Sequence, residues 1–493
     1  MKKRVFGIET EFGCLVNSPA VGTFEDVVQA VKDGAFYKKN LGVIDLHARD
    51  TAFEPARSGG FLRNGGRLYI DAVGSHEEYA TPECADLHTL VVYDRAGRFI
   101  LQDLLEDLHL AEAASFHNNS VDHFGGHTFG CHENYLVEIE DRFFTDALAY
   151  LLPFLVTRQI FAGAGRVGGH RLTRPNSRGN IMTLGENALD YIWVSNFYGV
   201  EIDHSVDFQL SQRADHIVRE LSSRVRFNRA IVNPKWDTFY RHSKCHRLHV
   251  LYGEANMSEY ALMLKIGTTC IVMDLIEREI YPEGVVLADP LETLRSVSRD
   301  PKMRWLVRLK NQETIPAVDL QRKYLAAAQK YLRRRDDQTD WILAEWERTL
   351  DDLERDPLST ADRLDWAAKK KLLMEYIAQE GVSWQDDVMQ SLDLAYHNVN
   401  PKESLHAALE DAGLMLRFTT PEEVESAAVN PPENTRALGR GLAVEYLLAH
   451  PEIRYRYFID WDAIYLDFNH RLDLRNPFHT YEKEVLEFLS RSA

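Results

Sequence analysis

Cysteine is scarce in this chain, and what there is has no pattern. Cys14, Cys84, Cys131, Cys245 and Cys270 are scattered, odd in number and include no CxxC pair. That excludes a disulfide framework and a thiolate zinc site. Long apolar runs are missing too, since no stretch approaches the roughly 20 residues that span a bilayer. The opening residues, MKKRVFGIETEFG, have charge but no apolar segment or small-residue cleavage site of a secretory signal. No membrane partner is expected, and the reading places the chain in the cytoplasm. Positive charge is in deficit, with 57 Lys and Arg against 75 Asp and Glu and a formal net charge of −18. Such a field repels phosphate backbones and excludes general nucleic-acid binding. It says little against a small anionic substrate held in a metal site. Internal repeats and low-complexity tracts are absent as well. With 493 residues, 45% of them hydrophobic, the chain is long enough for a large core and more than one domain.

What is present begins at residues 4–13, RVFGIETEFG. Phe6, Ile8, Thr10 and Phe12 alternate with Glu9 and Glu11, so a β-strand would set the two carboxylates side by side on one face. Residues 64–83 repeat the device. Leu68, Ile70 and Ala72 fall on one face and Arg67, Tyr69 and Asp71 on the other, with Glu78 and Glu83 close behind. A solvated strand face usually carries Lys, Thr and Ser, whereas clustered carboxylates repel one another and are stable mainly beside a cation.

Along the chain, residues 23–32 read as a short helix with Thr23 as N-cap. Residues 34–66 show no sustained periodicity and read as a long flexible connection, of a size that usually covers or gates something. Residues 87–114 read as helix. Between 116 and 137, His117, His123, His127 and His132 invite a metal reading, but their spacing matches no zinc motif. Cys131 to Val137 then resumes as strand, with His132 and Asn134 opposite Glu133 and Tyr135. Residues 208–215 alternate and group Gln209, Ser211 and Arg213; residues 247–256 do the same for Arg247 and His249. Ser258 caps an apolar helix running to Ile276. Residues 318–413 are helix-rich, and the run Lys369, Lys370, Lys371 reads as a solvated face. A TTPEE cap signature at 419–423 opens a smaller unit, in which Trp461 is either a core indole or a ring that stacks on a base. The division expected is therefore 1–418 and 419–493.

GIETEFG, FLRNGGRLYID with VGSHEEYATPEC, GCHENYL, PFLVTRQ with GAGR, LSQRADH, RLHV with EANMSE and KIGTT, DLAYH, and PPENTRALGRG occur in this order from one end of the chain to the other. As an ordered set they resemble the Pup ligase (proteasome accessory factor A) and Pup deamidase/depupylase family, with the local wording closer to the ligase. The resemblance implies an α+β fold like that of glutamine synthetase and the carboxylate–amine ligases: a curved antiparallel sheet forming a cradle, packed by helices, plus a small C-terminal domain. It implies ATP and Mg²⁺, a small disordered Pup-like protein modifier, and lysine-bearing protein substrates. Glu9, Tyr69 and Glu78 match its magnesium positions, with Glu11 and His132 as further candidates. Arg67, Thr81 and Trp461 match its nucleotide contacts, joined by Arg213 and His249 as polar residues of the cradle. Asp71 matches the catalytic aspartate.

A ligase of this kind transfers the ATP γ-phosphate to a glutamate γ-carboxylate, which a lysine amine then attacks. The deamidase or depupylase uses the same aspartate to hydrolyse the modifier's amide or isopeptide bond, so the catalytic residues alone do not separate joining from cleaving. A small-molecule carboxylate–amine ligase and a non-catalytic nucleotide-binding adaptor are the further alternatives. The chain departs from the family at Asn233, Pro234, Lys235, Trp236, Asp237, Thr238 and Phe239, where an Asn-Thr-Arg-Asp-Glu-Pro-His stretch is usual. It also has an extra residue between Asp71 and Gly74 and a longer 168–207 region.

Overall fold

The computed structural model describes residues 3–49, 54–71, 74–123, 126–138, 147–173, 199–222, 229–233 and 245–490. Ala72, the departure at 234–239 and most of the 168–207 insertion lie outside them. The chain forms two compact units. One comprises Val5–Asn118, Asn398–Asn400 and Thr419–Ala493; the other Met1–Arg4, Asn119–His397 and Pro401–Phe418. The boundary at 418/419 is one of the points where the chain passes between units, and residues 419–493 group with 5–118.

Within residues 5–118 of the first unit the strands are β1 (Phe6–Val16), β2 (Gly42–Ile44), β3 (Gly59–Leu62), β4 (Arg67–Asp71), β5 (His76–Ala80) and β6 (Ala114–His117). They run β1-β5-β4-β3-β2, with β6 on the second half of β1, and every pairing is antiparallel. The back of the sheet is apolar, as the alternation requires. Phe12, Leu68 and Tyr79 pack there with Val27, Val28 and Val31 of α1 (Phe24–Asp33) and Ile100, Leu101 and Leu104 of α2 (Leu87–Asp107). Thr23 caps α1 in a reciprocal box with Asp26. Helix α2 stops at Asp107, short of the expected 114, because Ala114 opens β6.

The 34–66 segment is not structureless. It holds one π-helical turn, Gly34–Lys38, and both β2 and β3. Its glycines are steric requirements rather than signs of flexibility: a Cβ on Gly60 would lie 2.0 Å from the Val43 carbonyl oxygen, and one on Gly59 2.2 Å from Tyr69 Cβ. In residues 419–493, helices Ala437–Ala449 and Glu482–Ser490 accompany a three-stranded antiparallel sheet, Tyr457–Ile459, Ala463–Leu466 and His470–Asp473. Val444, Leu447, Ile464, Leu474, Val485 and Leu489 form their core together with Phe61 of β3.

In the second unit, β7 (Cys131–Glu138) pairs antiparallel with Cys245–Val250, which pairs antiparallel with Ala230–Asn233. The outer strand Arg219–Leu221 is parallel to its neighbour, an exception to an all-antiparallel sheet. Helix Glu259–Ile276 starts where expected, with Ser258 Oγ accepting from the Ala261 N–H at 3.1 Å, and is buried along its whole length. Residues 208–215 do not form a strand. Only Phe208–Gln209 pairs, with Arg166–Val167, and a 3₁₀ turn follows at Ala214–His216. The helices expected after 318 are present, but Lys369 is not on a solvated face: it is buried, bonded to Asp393 at 2.5 Å and to the Gly165 carbonyl at 2.8 Å. Among the described residues no helix is long and apolar enough to cross a membrane.

Candidate active site

The register of three strands assembles the front face of the first unit. Glu11 on β1 stands opposite Glu78 on β5, which stands opposite Tyr69 on β4. One row to one side, Glu9, Ala80 and Arg67 are opposed, and one row to the other side Asp71 faces His76. Directly opposed residues in an antiparallel pair share a face with their Cβ atoms about 5 Å apart. Carboxylate oxygens of Glu11, Asp71 and Glu78 lie within 4.8 Å of one another. Burial pushes Glu78 well above the usual carboxylate range, and the charges of Glu11, Asp71 and Glu9 push the same way, against a hydrogen bond from Tyr69. Burial and the neighbouring Glu78 and Glu9 likewise raise the Tyr69 phenol. Every donor here is a hard oxygen, and the strain is excess negative charge. Both properties fit a divalent, oxygen-seeking cation such as magnesium.

Arg67 carries positive charge beside this cluster. It is buried, pairs with Asp45 at 3.0 Å and Glu54 at 2.7 Å, and lies 4.3 Å from the centre of the Tyr69 ring. Thr81, also buried, accepts the Ile8 N–H at 3.1 Å. Trp461 is half-buried, edge-on to Phe61 with centroids 4.9 Å apart, and Arg440 lies 4.9 Å from its ring centre. Phe61 is opposite Arg67 in the β3–β4 register, so this aromatic group sits on the same face as the acids. The indole therefore has a packing role whatever else it does.

His132, His249 and Arg213 belong to the second unit. Asn134 and His249 are paired across β7 and Cys245–Val250, and the His132 and His249 rings meet edge to face with centroids 5.0 Å apart. Arg213 is buried at the start of the 3₁₀ turn and donates to the Leu251 carbonyl at 2.9 Å. Of the other histidines, His117 bonds Ser115 at 3.0 Å, His127 bonds Asp122 at 2.6 Å, and His123 faces Asp393 at 3.3 Å.

Two features escaped the sequence reading. His76, two residues before Glu78 and hence on its face, bonds Glu11 at 2.8 Å; period two counted backwards from Glu78 would have found it. Asp45, Arg49 and Glu54 come from the segment read as a loop. Glu83, grouped with Glu78 from the sequence, is instead paired with Arg436 at 2.7 Å and with Arg440. Burial alone would raise its carboxyl, but the two guanidiniums hold it at about 2.

The chain matches the Pup-ligase protein family model over residues 4–465. A Pup–protein ligase of Paenarthrobacter aurescens is 34% identical over 504 residues, covering 98% of each chain. One of Mycolicibacterium smegmatis is 33% identical over 505 residues, covering 99% of this chain and all of the relative. Among solved structures, the ligase PafA in complex with the prokaryotic ubiquitin-like protein Pup superposes with a TM-score of 0.78 at 28% identity, over 99% of this chain and 91% of that one. PafA in complex with ADP superposes with a TM-score of 0.72 at 29% identity, over 88% and 89%.

Proposed function

The chain belongs to the Pup-ligase family, and from that premise we propose that it is an ATP-dependent ligase joining the C-terminal glutamate side chain of a small, disordered Pup-like modifier to lysines of target proteins in the cytoplasm. The observation that carries the reading is the juxtaposition of Glu11, Asp71 and Glu78 on one sheet face beside Tyr69 and Arg67, in a chain that matches Pup–protein ligases from end to end.

In this reading Glu9, Glu11, Tyr69 and Glu78 would hold Mg²⁺, which when bound neutralises charge on the triphosphate. Arg67 and Thr81 contact the nucleotide and Trp461 flanks its base. Arg67 is well suited to hold an anion in place, because Asp45 and Glu54 fix its guanidinium and leave it little freedom to reorganise. The modifier's γ-carboxylate takes the γ-phosphoryl group from ATP, releasing ADP. The lysine nitrogen then adds to the activated carbonyl, phosphate leaves, and an isopeptide bond forms. Only a neutral amine is nucleophilic, so the lysine ammonium must first lose a proton. Asp71 is the base, at the end of β4 and facing His76 across the strand pair.

The test is to supply ATP, Mg²⁺, a lysine-bearing protein and the modifier ending in Glu or in Gln. A conjugate from the Glu form, with ADP and phosphate released, supports ligation; cleavage of the Gln amide without conjugation points to the hydrolytic branch of the family.

A further inference from the structure

Arg49 lies in the segment that the sequence left without structure, yet its guanidinium makes directed contacts to two separate stretches of the chain. Its Nε and Nη2 grip Asp45 through both carboxylate oxygens at 2.7 and 3.2 Å. Asp45 Oδ2 also accepts from Arg67 Nη2 at 3.0 Å. On its other side Arg49 Nη1 reaches Asp460 Oδ1 at 2.7 Å, and Nη2 donates to the Ile459 carbonyl. Asp460 Oδ1 in turn accepts the backbone N–H of Trp461 at 2.8 Å. The guanidinium carbon also lies over two rings, 5.1 Å from the centre of Phe61 and 4.6 Å from that of Phe458. Phe61 is the ring against which Trp461 stands edge-on. All these residues belong to one unit.

We infer that Arg49 is a positioning residue for nucleotide recognition: through Asp45 it fixes Arg67, and through Asp460 and Phe61 it fixes Trp461, so that phosphate-side and base-side contacts keep one separation. The inference rests on the reading that Arg67 and Trp461 touch the nucleotide. A planar fork with donors on two edges and apolar faces suits this place, and a lysine ammonium reproduces neither the bidentate grip nor the stacking. Removing the fork takes from Asp460 and Ile459 their bonds to the 45–49 segment, while Asp45 keeps Arg67 as partner. The loss should therefore fall on nucleotide affinity rather than on the chemical step, because small misplacements of binding groups cost of order 10–100-fold.

The experiment measures ATP affinity by calorimetry with Mg²⁺, kcat and KM for conjugation, and thermal melting, for Arg49→Lys, Arg49→Ala, Asp460→Asn, Arg67→Ala, Trp461→Ala and the Arg49→Ala/Trp461→Ala double variant. Both Arg49 variants are expected to raise Kd and KM for ATP by roughly 10-fold or more, with kcat at saturating ATP and the KM for the modifier within about twofold. Lysine should give no rescue. The double variant should lose less ATP affinity than the two single losses multiplied together, since residues acting through one another are not additive. Asp460→Asn cuts the same ion pair with a smaller change, so it carries the test if Arg49→Ala does not fold. Unchanged ATP affinity in Arg49→Lys and Asp460→Asn, while Trp461→Ala and Arg67→Ala are weakened, overturns the inference and leaves the nucleotide reading standing. Unchanged affinity in Arg67→Ala and Trp461→Ala overturns that reading and the inference with it.

Discussion

Glu78 sits buried among three other carboxylates, a placement whose repulsion a bound cation relieves while the carboxylates stay ionised. Glu78→Gln and Glu9→Ala should therefore abolish most of the Mg²⁺ dependence of ATP binding. Calorimetry with and without the metal reads this directly, and equal ATP affinity in both conditions for the unaltered protein would remove the cation from the site. Asp71 shares the cluster with Glu11 and Glu78. Asp71→Asn should still lower the conjugation rate by roughly 10²–10⁴, the usual worth of general-base help. Its ATP affinity should change far less, and raising the pH should restore part of the rate as more lysine becomes neutral. Conjugation at the normal rate at neutral pH would assign the proton to another group. Glu9 with Glu11, and Tyr69 with Asp71, were legible because period-two alternation puts each pair on one strand face, whereas Glu78 was reached through the family resemblance. Arg49 was not, because its partner Asp460 is 411 positions away, and no local pattern reports a contact of that length.

At the scale of elements, β1 and the caps at Thr23 and Ser258 follow from local pattern; both caps fall where expected, and β1 runs three residues past the expected end. Short strands were missed where local signals mislead. Strand β2 has only three residues, and β3 opens with Gly59–Gly60, which reads as a linker until the Val43 carbonyl and Tyr69 are seen against it. Gly60→Ala should cost about 1–3 kcal/mol, as forced overpacking does; a melting temperature equal to that of the unaltered protein would show that β2 can move aside. The turn after β5 offers a pH prediction. Glu83 titrates near 2 when folded, below the 4.5 of an unperturbed glutamate, so its pairing with Arg436 and Arg440 stabilises the fold above about pH 4.5. That contribution is lost as the pH falls towards 2, and amounts to a few kcal/mol at most, on the order of 3 by linkage. In Glu83→Gln the loss of stability between pH 4.5 and 2 should be shallower than in the unaltered protein, checked by urea unfolding at each pH; identical slopes would contradict the assignment.

For the whole molecule, residues 419–493 tie back to 5–118 through polar contacts at long range: Asn64 to the Ala427 carbonyl at 3.0 Å, Arg436 to Glu83, and Arg49 to Asp460. A chain ending at 418 should consequently melt at lower temperature and bind ATP poorly; an unchanged melt would show that 5–118 holds together without them. The cap signature at 419 marks where the chain returns to this unit, but such local signals cannot say which earlier segment it returns to. The central claim is that this chain makes an isopeptide bond at the expense of ATP with Asp71 as the base. The most direct measurement follows conjugate, ADP and phosphate together in one reaction containing the Glu-ended modifier, Mg²⁺, ATP and a lysine-bearing protein, for the unaltered chain and for Asp71→Asn. The account predicts equal amounts of conjugate, ADP and phosphate from the unaltered chain, and little conjugate from the variant despite retained ATP binding. Conjugate formed without ATP consumption, or formed equally well by Asp71→Asn, would contradict it.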